Sequence, residues 1–374
     1  MDFTFTTEQR LMASAFRELA EVVCSPQRLR ANAERGATSI TGVADAAVAA
    51  DAADAAAAES QARWQAFAEI GMVGVLAAEA HGGMGLTDID LVLVAEEAGH
   101  AALPEPLLEH AGIAVPALAD LAGEPRVAEL LAGAAAGRTR VAVGHPVNPF
   151  VLDAARSDYL LIAEASEIHL LEAARTRLVS QPSIDPSRRL FKVEAALQAS
   201  TRIATGELAQ QVSQRILARG ALYCAAQLVG LCARMIELAV SYARERRQFG
   251  KPIGACQAIK HQLATAQVKL EFARPVLYAA AARAGLVDER SLAAISHAKI
   301  AATEAADHAA RTALQVHGAM GYSWEVDLHF YMKRAWALAG AWGARGFHLR
   351  RLSDQLFEHG LAPGPGHTFE ETPT

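Results

Sequence analysis

Leu228, Leu231, Cys232, Met235 and Ala239 recur at three- and four-residue intervals, with Arg234, Glu237, Ser241 and Arg244 falling between them. That period puts the two sets on opposite faces of one helix. A second run, Ile259, Leu263, Ala266, Leu270, Ala273 and Leu277, predicts a helix with a kink at Pro275. A third helix is predicted from about Ser291 to His317, with a mostly alanine inner face and Gly318 and Gly321 as its stop. Near the amino terminus, Thr6 or Thr7 caps a helix from Glu8 through Val23, and Pro26 follows its end. Residues 43–58 are almost all Ala and Asp. Alanine is the best helix former, so this stretch reads as one helix continuing through Trp64 and Phe67 to near Gly71. His81-Gly82-Gly83-Met84-Gly85 is expected to be a loop, and another helix to run from about Asp88 to His100.

The texture changes after about residue 138. Tyr159–Ala163, Ile168–Leu171 and Leu190–Val193 are short apolar runs that read as strands, with a turn at Ile184-Asp185-Pro186. A β unit of roughly sixty residues is near the lower limit for folding alone, so it is expected to lean on its neighbours. The expected divisions are a helical domain over 1–137, a reduced middle β domain over 138–204, a helical bundle over 205–358 and a fraying tail over 359–374.

The chain has 374 residues, room for two or three packed domains. Hydrophobic residues make up 52% and charged residues 20%, a globular composition. A net charge of −6 argues against nonspecific nucleic-acid binding, and the clusters Arg244–Arg247 and Arg188–Arg189 are too short to reverse that. The start, Met1-Asp2-Phe3-Thr4-Phe5, has neither the basic nor the apolar region of a signal peptide. No uncharged apolar run approaches a membrane span, and a cytoplasmic location is expected. Cys24, Cys224, Cys232 and Cys256 form no CxxC pair and read as small buried hydrophobes. His297 and His308 share a helix face without a third ligand, so no metal site is assigned.

Two segments carry candidate chemistry. In Tyr242-Ala243-Arg244-Glu245-Arg246-Arg247-Gln248-Phe249-Gly250-Lys251-Pro252-Ile253, a basic helix end precedes a Phe-Gly turn. Its guanidinium groups suit a phosphate or pyrophosphate clamp, although a solvated helix end that complements the macrodipole is the commoner arrangement. In Gln315-Val316-His317-Gly318-Ala319-Met320-Gly321-Tyr322, small residues after a helix allow a ligand to approach the backbone, or form a plain glycine cap.

Together these segments resemble the acyl-CoA dehydrogenase family. Arg246–Ile253 is similar to its R-x-x-F-G-x-x-I segment, and Gln315–Gly321 to its Q-x-x-G-G-x-G segment, with Ala319 in place of the second glycine. Gln257-Ala258-Ile259-Lys260-His261 looks like its Q-A-x-x-H stretch. Glu79–Gly85 looks like its P-E-x-x-G-G-x-G loop, with Ala78 where proline is usual, and Glu96-Glu97-Ala98-Gly99 like its E-E-x-G helix end. The resemblance implies a mainly α fold with a small central β domain: helical domain, β-barrel-like domain and four-helix bundle. It implies FAD held across a subunit interface and an acyl-CoA thioester as substrate, with electron-transfer flavoprotein as a candidate electron acceptor. Position by position, Arg246, Gln248 and Phe249 would meet the pyrophosphate and adenosine side of FAD. Gln315, Gly318 and Ala319 would meet the ADP part of an FAD whose flavin sits in another subunit.

The chain also departs from the family. Proton abstraction from the α-carbon needs a carboxylate base. The family places its glutamate at one of two positions, and here these hold Trp342 and Gly220. The T-E-P-x-x-G-S-D and W-I-T-N-like stretches of a full flavin pocket are missing between 138 and 205. Asp185-Pro186-Ser187-Arg188-Arg189-Leu190 resembles a D-x-x-R-R stretch in short actinobacterial members, some of which pair as α2β2 with a longer subunit that supplies the base in sterol degradation. No catalytic residue is therefore assigned. Glu325 is a weak candidate for a replacement base, and His261 and His317 read as hydrogen-bonded packing residues. A self-sufficient homotetramer with a relocated base, a flavin monooxygenase of the same fold and a non-enzymatic assembly subunit remain alternatives.

Overall fold

The computed structural model describes residues 4–31, 46–286, 288–358 and 360, with side chains of the second stretch described from residue 55. Apart from Gly360, the tail expected to fray lies outside the described residues, as does the start of the Ala/Asp-rich run.

Helix α1 spans Thr7–Val23. Thr6 is its cap: the Gln9 N–H donates to Thr6 Oγ1 at 3.2 Å and the Thr6 N–H to Gln9 Oε1 at 2.8 Å, a reciprocal capping box. Helix α2 spans Ala46–Glu69, and Gly71 turns the chain away at φ 75°. A 3-10 turn at Glu79–His81 leads into the expected glycine loop. Helix α3 spans Asp88–His100. A π-helical stretch, Glu109–Ala114, then leads into helices α4 (Val115–Asp120) and α5 (Pro125–Ala135).

Seven short strands follow: β1 (Val141–Gly144), β2 (Val151–Leu152), β3 (Tyr159–Ala163), β4 (Glu167–Glu172), β5 (Arg177–Gln181), β6 (Leu190–Glu194) and β7 (Arg202–Thr205). They form a four-stranded sheet ordered β1-β3-β4-β7 and a three-stranded antiparallel sheet ordered β2-β6-β5. In the larger sheet β1 and β3 are parallel, and β3 pairs antiparallel with β4 from Tyr159↔Glu172 to Ala163↔Ile168. Both faces of β3 are covered. Leu161 and Ala163 join the main core beneath the helices, while Leu160 and Ile162 join a small core with Val151 and Leu171. A strand buried on both sides reads as a continuous apolar run, which is why Tyr159–Ala163 stands out in the sequence.

The carboxyl-terminal helices are α6 (Gly206–Glu245), α7 (Gln257–Arg283), α8 (Glu289–His317), α9 (Leu328–Gly340) and α10 (Arg345–Phe357). α6 is long and apolar enough to cross a membrane, but 89% of its most apolar window is buried inside the protein, so it serves as a core helix. Glycines let α3 press on it: a Cβ at Gly99 would lie 2.1 Å from the Gln227 carbonyl, and one at Gly230 1.9 Å from the Glu96 carbonyl. The glycine of the E-E-x-G motif is thus a helix-crossing residue. α7 continues past Pro275 without ending. Cys24, Cys224 and Cys232 are buried as expected, but Cys256 is exposed at the start of α7.

The β region leans on the helices through charge as well as apolar packing. Arg334 of α9 is buried and bonds to Asp185, to Ser187 Oγ at 2.6 Å and to the Leu103 carbonyl at 2.6 Å. Arg189 forks onto Asp153 at 2.5 and 2.8 Å. The Arg188–Arg189 pair, read from sequence as a short basic cluster, therefore lies inside a domain junction: Arg188 is 8% exposed.

Candidate functional site

Both sequence motifs of the bundle arrive at one end of it. α6 ends at Glu245 with Arg246 as its cap, and the chain doubles back as a two-residue hairpin, β8 (Arg247–Gln248) against β9 (Lys251–Pro252). The loop residues Phe249 and Gly250 have φ of 50° and 78°. Two positive φ values in a two-residue loop are the type I′ geometry that suits a twisted hairpin. Glycine adopts it freely, whereas phenylalanine is strained there. Phe249 is also 99% exposed, so no packing among the described residues compensates the strain. Arg246, Arg247, Gln248 and Lys251 are exposed, and the three cations have no ion pair among the described residues.

The second motif lies beside the first. His317, the last residue of α8, stacks on Tyr242, one turn before the end of α6, with ring centroids 4.3 Å apart and planes at 24°. Gln315, Gly318 and Ala319 are exposed. Gly318 adopts φ 58°, ψ −136°, a conformation essentially reserved for glycine, and among the described residues nothing lies within 4 Å of where its Cβ would be. The cluster thus offers unpaired guanidinium groups, an open backbone cradle and a bare aromatic ring. That donor set fits a pyrophosphate and an adenine ring. His317 packs as expected, its Nδ1 donating to the Ala313 carbonyl at 2.8 Å, whereas His261 is exposed rather than packed. Glu325 is exposed on the next loop, where its backbone carbonyl accepts from Arg30 at 2.9 Å.

The two positions aligned with the family's base touch each other. A Cβ at Gly220 would lie 2.2 Å from Trp342 Cδ2, so the indole rests on the bare glycine face of α6. Trp342 is 2% exposed and has φ 54°, a left-handed conformation. Its N–H donates to Asn148 Oδ1 at 3.3 Å, and its carbonyl accepts from His348 Nε2 at 3.0 Å. His348 Nδ1 in turn lies 3.3 Å from Ser296 Oγ. His145, whose ring is 6.3 Å from the indole, accepts from the Val147 N–H and bonds Ser213 through Nε2 at 3.2 Å. Burial pushes both histidines down to about 4, with the Arg351 charge adding to the effect. They are neutral hydrogen-bonding groups, and none of Trp342's partners is a carboxylate.

The turn carrying Trp342 is fixed from below. Lys299, 1% exposed on α8, donates to the Leu338 carbonyl at 2.7 Å, and Cys224 of α6 donates to the same oxygen at 3.1 Å. A cation at a helix carboxyl terminus satisfies orphan carbonyls and the dipole together. Burial depresses the lysine's pKa, so the cap works against a desolvation cost. Sequence reading did not single out His145, Asn148, His348 or Lys299. A signal existed for Lys299, which falls four residues after Ile295 on the alanine-lined inner face of α8.

Comparison with known proteins follows the same lines. Residues 34–138 match the acyl-CoA dehydrogenase N-terminal domain model and residues 209–357 the acyl-CoA dehydrogenase C-terminal domain model. The acyl-CoA dehydrogenase IpdE2 of Mycobacterium tuberculosis is 32% identical over 303 residues, covering 79% of this chain and 86% of that protein. Among solved structures, the ChsE4-ChsE5 complex from Mycobacterium tuberculosis superposes with a TM-score of 0.76 at 22% identity over 97% of this chain and 100% of that one. A variant of the Tcur3481-Tcur3483 steroid ACAD gives a TM-score of 0.75 at 22% identity over 95% and 99%. With the fold, the order of the motifs and a relative of this extent in agreement, the chain belongs to the acyl-CoA dehydrogenase family.

Proposed function

We propose that this chain is the base-less subunit of a heteromeric acyl-CoA dehydrogenase. In this reading it lends the pyrophosphate and adenosine half of an FAD site to a longer partner that carries the glutamate. One observation carries the proposal: at the two positions where the family keeps its base, this chain has an indole packed on a glycine. A tryptophan on a bare glycine has no proton acceptor and fills the space. Arg246, Gln248 and Phe249 bind from the hairpin, and Gln315, Gly318 and Ala319 from the end of α8. FAD, when bound, supplies the hydride acceptor for α,β-dehydrogenation. This chain's residues hold its anionic end and exclude water from it. Heteromeric pairing is supported by the ChsE4-ChsE5 likeness, and a sterol-derived thioester by the steroid ACAD likeness.

The test is anaerobic flavin bleaching with straight-chain, branched and sterol-derived acyl-CoA substrates. The chain purified by itself should give no bleaching, and co-expression with a longer family member should give one FAD per pair and bleaching. Removing a general base costs on the order of a hundredfold to ten-thousandfold in rate, so the difference is easily read. In the pair, Arg246→Ala should lower FAD retention roughly tenfold or more, the value of a lost charge-assisted hydrogen bond. Rapid bleaching by the isolated chain, abolished by Glu325→Gln, would show a relocated base and sink the reading.

A further inference from the structure

The two motifs of the flavin half-site hang from different helices, so their spacing depends on how the ends of α6 and α8 are held together. On α6 the chain is fixed from Tyr242 outward. The Tyr242 carbonyl accepts from the Arg246 N–H at 2.8 Å, and the Arg246 carbonyl accepts from the Ile253 N–H at 2.8 Å, which closes the hairpin. The returning chain presses on the same helix end: a Cβ at Gly254 would lie 3.0 Å from the Ala243 carbonyl. On α8 the chain is fixed from His317. The Gly318 N–H donates to the Leu314 and Gln315 carbonyls. A Cβ at Gly321 would lie 3.2 Å from His317 Cβ, so the glycine segment folds back over that residue.

The face that α8 buries near this end is Ala305, Ala306, Ala309, Ala310 and Ala313. Uniform small side chains pack closely but specify register poorly. Among the described residues the last hydrogen bond between the two helices runs from Cys232 to the Ala305 carbonyl at 3.4 Å. That bond lies about 15 Å along the axis before Tyr242. Beyond it Tyr242 and His317 meet face to face, ring centroids 4.3 Å apart and planes at 24°. Flat rings have few favourable arrangements, so a stack fixes distance and rotation together. The His317 ring is itself pinned: it is 4% exposed, and its Nδ1 donates to the Ala313 carbonyl at 2.8 Å.

We infer that the Tyr242–His317 stack is the positioning element of the half-site. It sets the separation between the Arg246 guanidinium and the Gly318 backbone, and so their match to one pyrophosphate. Tyr242 acts through Arg246, whose N–H hangs from its carbonyl, and His317 acts through Gly318, which follows it in the chain. The inference rests on the half-site reading above and adds to it which residues hold the two motifs in register.

FAD retention in the flavin-loaded assembly tests it, with the melting temperature of every variant measured alongside. Tyr242→Leu and His317→Leu keep apolar bulk and lose the stack, and each should weaken retention roughly threefold to tenfold. Tyr242→Phe keeps the ring and should retain FAD as the unchanged chain does. Tyr242→Met, a more adaptable side chain, replaces the leucine variant if that one does not fold. Arg246→Ala supplies the reference. If the stack works by placing that guanidinium, Tyr242→Leu should cost little further retention once Arg246 is alanine, whereas independent losses multiply. A residue that only stabilises the bundle would lower the melting temperature without this dependence on Arg246. Full multiplication overturns the inference. So does unchanged retention in both leucine variants while Arg246→Ala loses flavin, and in that case the half-site reading stands. Unchanged retention in Arg246→Ala, or an assembly that takes up no FAD, overturns the half-site reading and the inference with it.

Discussion

Gly220 and Arg246 stand on the same helix, about 40 Å apart along its axis at 1.5 Å per residue, and α6 is built in opposite ways at the two places. At Arg246 the chain leaves cations unpaired, a phenylalanine bare and strained, and a glycine cradle open. At Gly220 it fills space completely: an indole on a glycine, its backbone held by Asn148 and His348, its turn capped by Lys299. Both places carry a left-handed bulky residue, Phe249 and Trp342. Strain of that kind persists only where surrounding groups over-determine it. For Trp342 those groups are in the chain. For Phe249 they are absent among the described residues, which points to something outside the chain. The Gly220 end is closed and satisfied within the described residues, whereas the Arg246 end is left unsatisfied by them.

The largest expected effect breaks the closed side. Trp342→Ala removes a fully buried ring and should cost about 3–5 kcal/mol in urea denaturation, as large aromatic deletions do. Gly220→Ala should cost about 1–3 kcal/mol by forcing a methyl into the indole. Because the residues touch, the double variant should cost less than the sum of the two singles. Additive costs would mean that the ring and the glycine do not share one space, and the description of the interior as closed would fail.

The helical frame was legible because its signals are local. Capping threonines, glycine stops and the three-four period need no knowledge of the fold, and the ends of α3, α6 and α8 fall within a few residues of their expected places. Strands β1, β2, β5 and β7 were not singled out, since two to five residues carry little pattern. The motif residues at the hairpin were singled out by resemblance, and so were Gly220 and Trp342 as the positions aligned with the family's base. That Trp342 and Gly220 meet was not, because nothing along the chain encodes which of two distant residues packs on which. The same holds for Asn148 and His145, and for the burial of Arg188, which the sequence offers only as half of a short basic cluster.

A second effect separates the two regions by pH. Unfolded histidine titrates near 6.5, and burial holds His145 and His348 down at about 4. The folded state therefore disfavours their protonation. The stability they contribute is present above about pH 6.5 and is lost as pH falls toward 4, by up to about 3 kcal/mol for each. His145 is partly open to water, so its share should be smaller. Urea midpoints measured from pH 7.5 to 5 should fall, and His348→Asn should flatten the profile. A profile unchanged by that substitution would mean that the acid loss arises elsewhere, and that the interior is less sealed than its hydrogen bonds indicate.

The smallest effect sharpens the open side. Phe249 precedes Gly250 in a type I′ turn, a position at which asparagine is favoured. Phe249→Asn should therefore relieve left-handed strain and raise the stability of the isolated chain by roughly 0.5–1 kcal/mol, an unusual direction for removing a large apolar side chain. No core contact is lost, since the ring is 99% exposed. If the ring is there for a partner or for adenine, the same substitution should weaken FAD retention in the assembled pair, because the apolar face that would stack is gone. The two readouts should move in opposite directions. A rise in stability with unchanged flavin retention would leave the exposed ring without a role in binding. A loss of stability would show that the hairpin is already relaxed, and that the strain separating this end of α6 from the Trp342 end is not real.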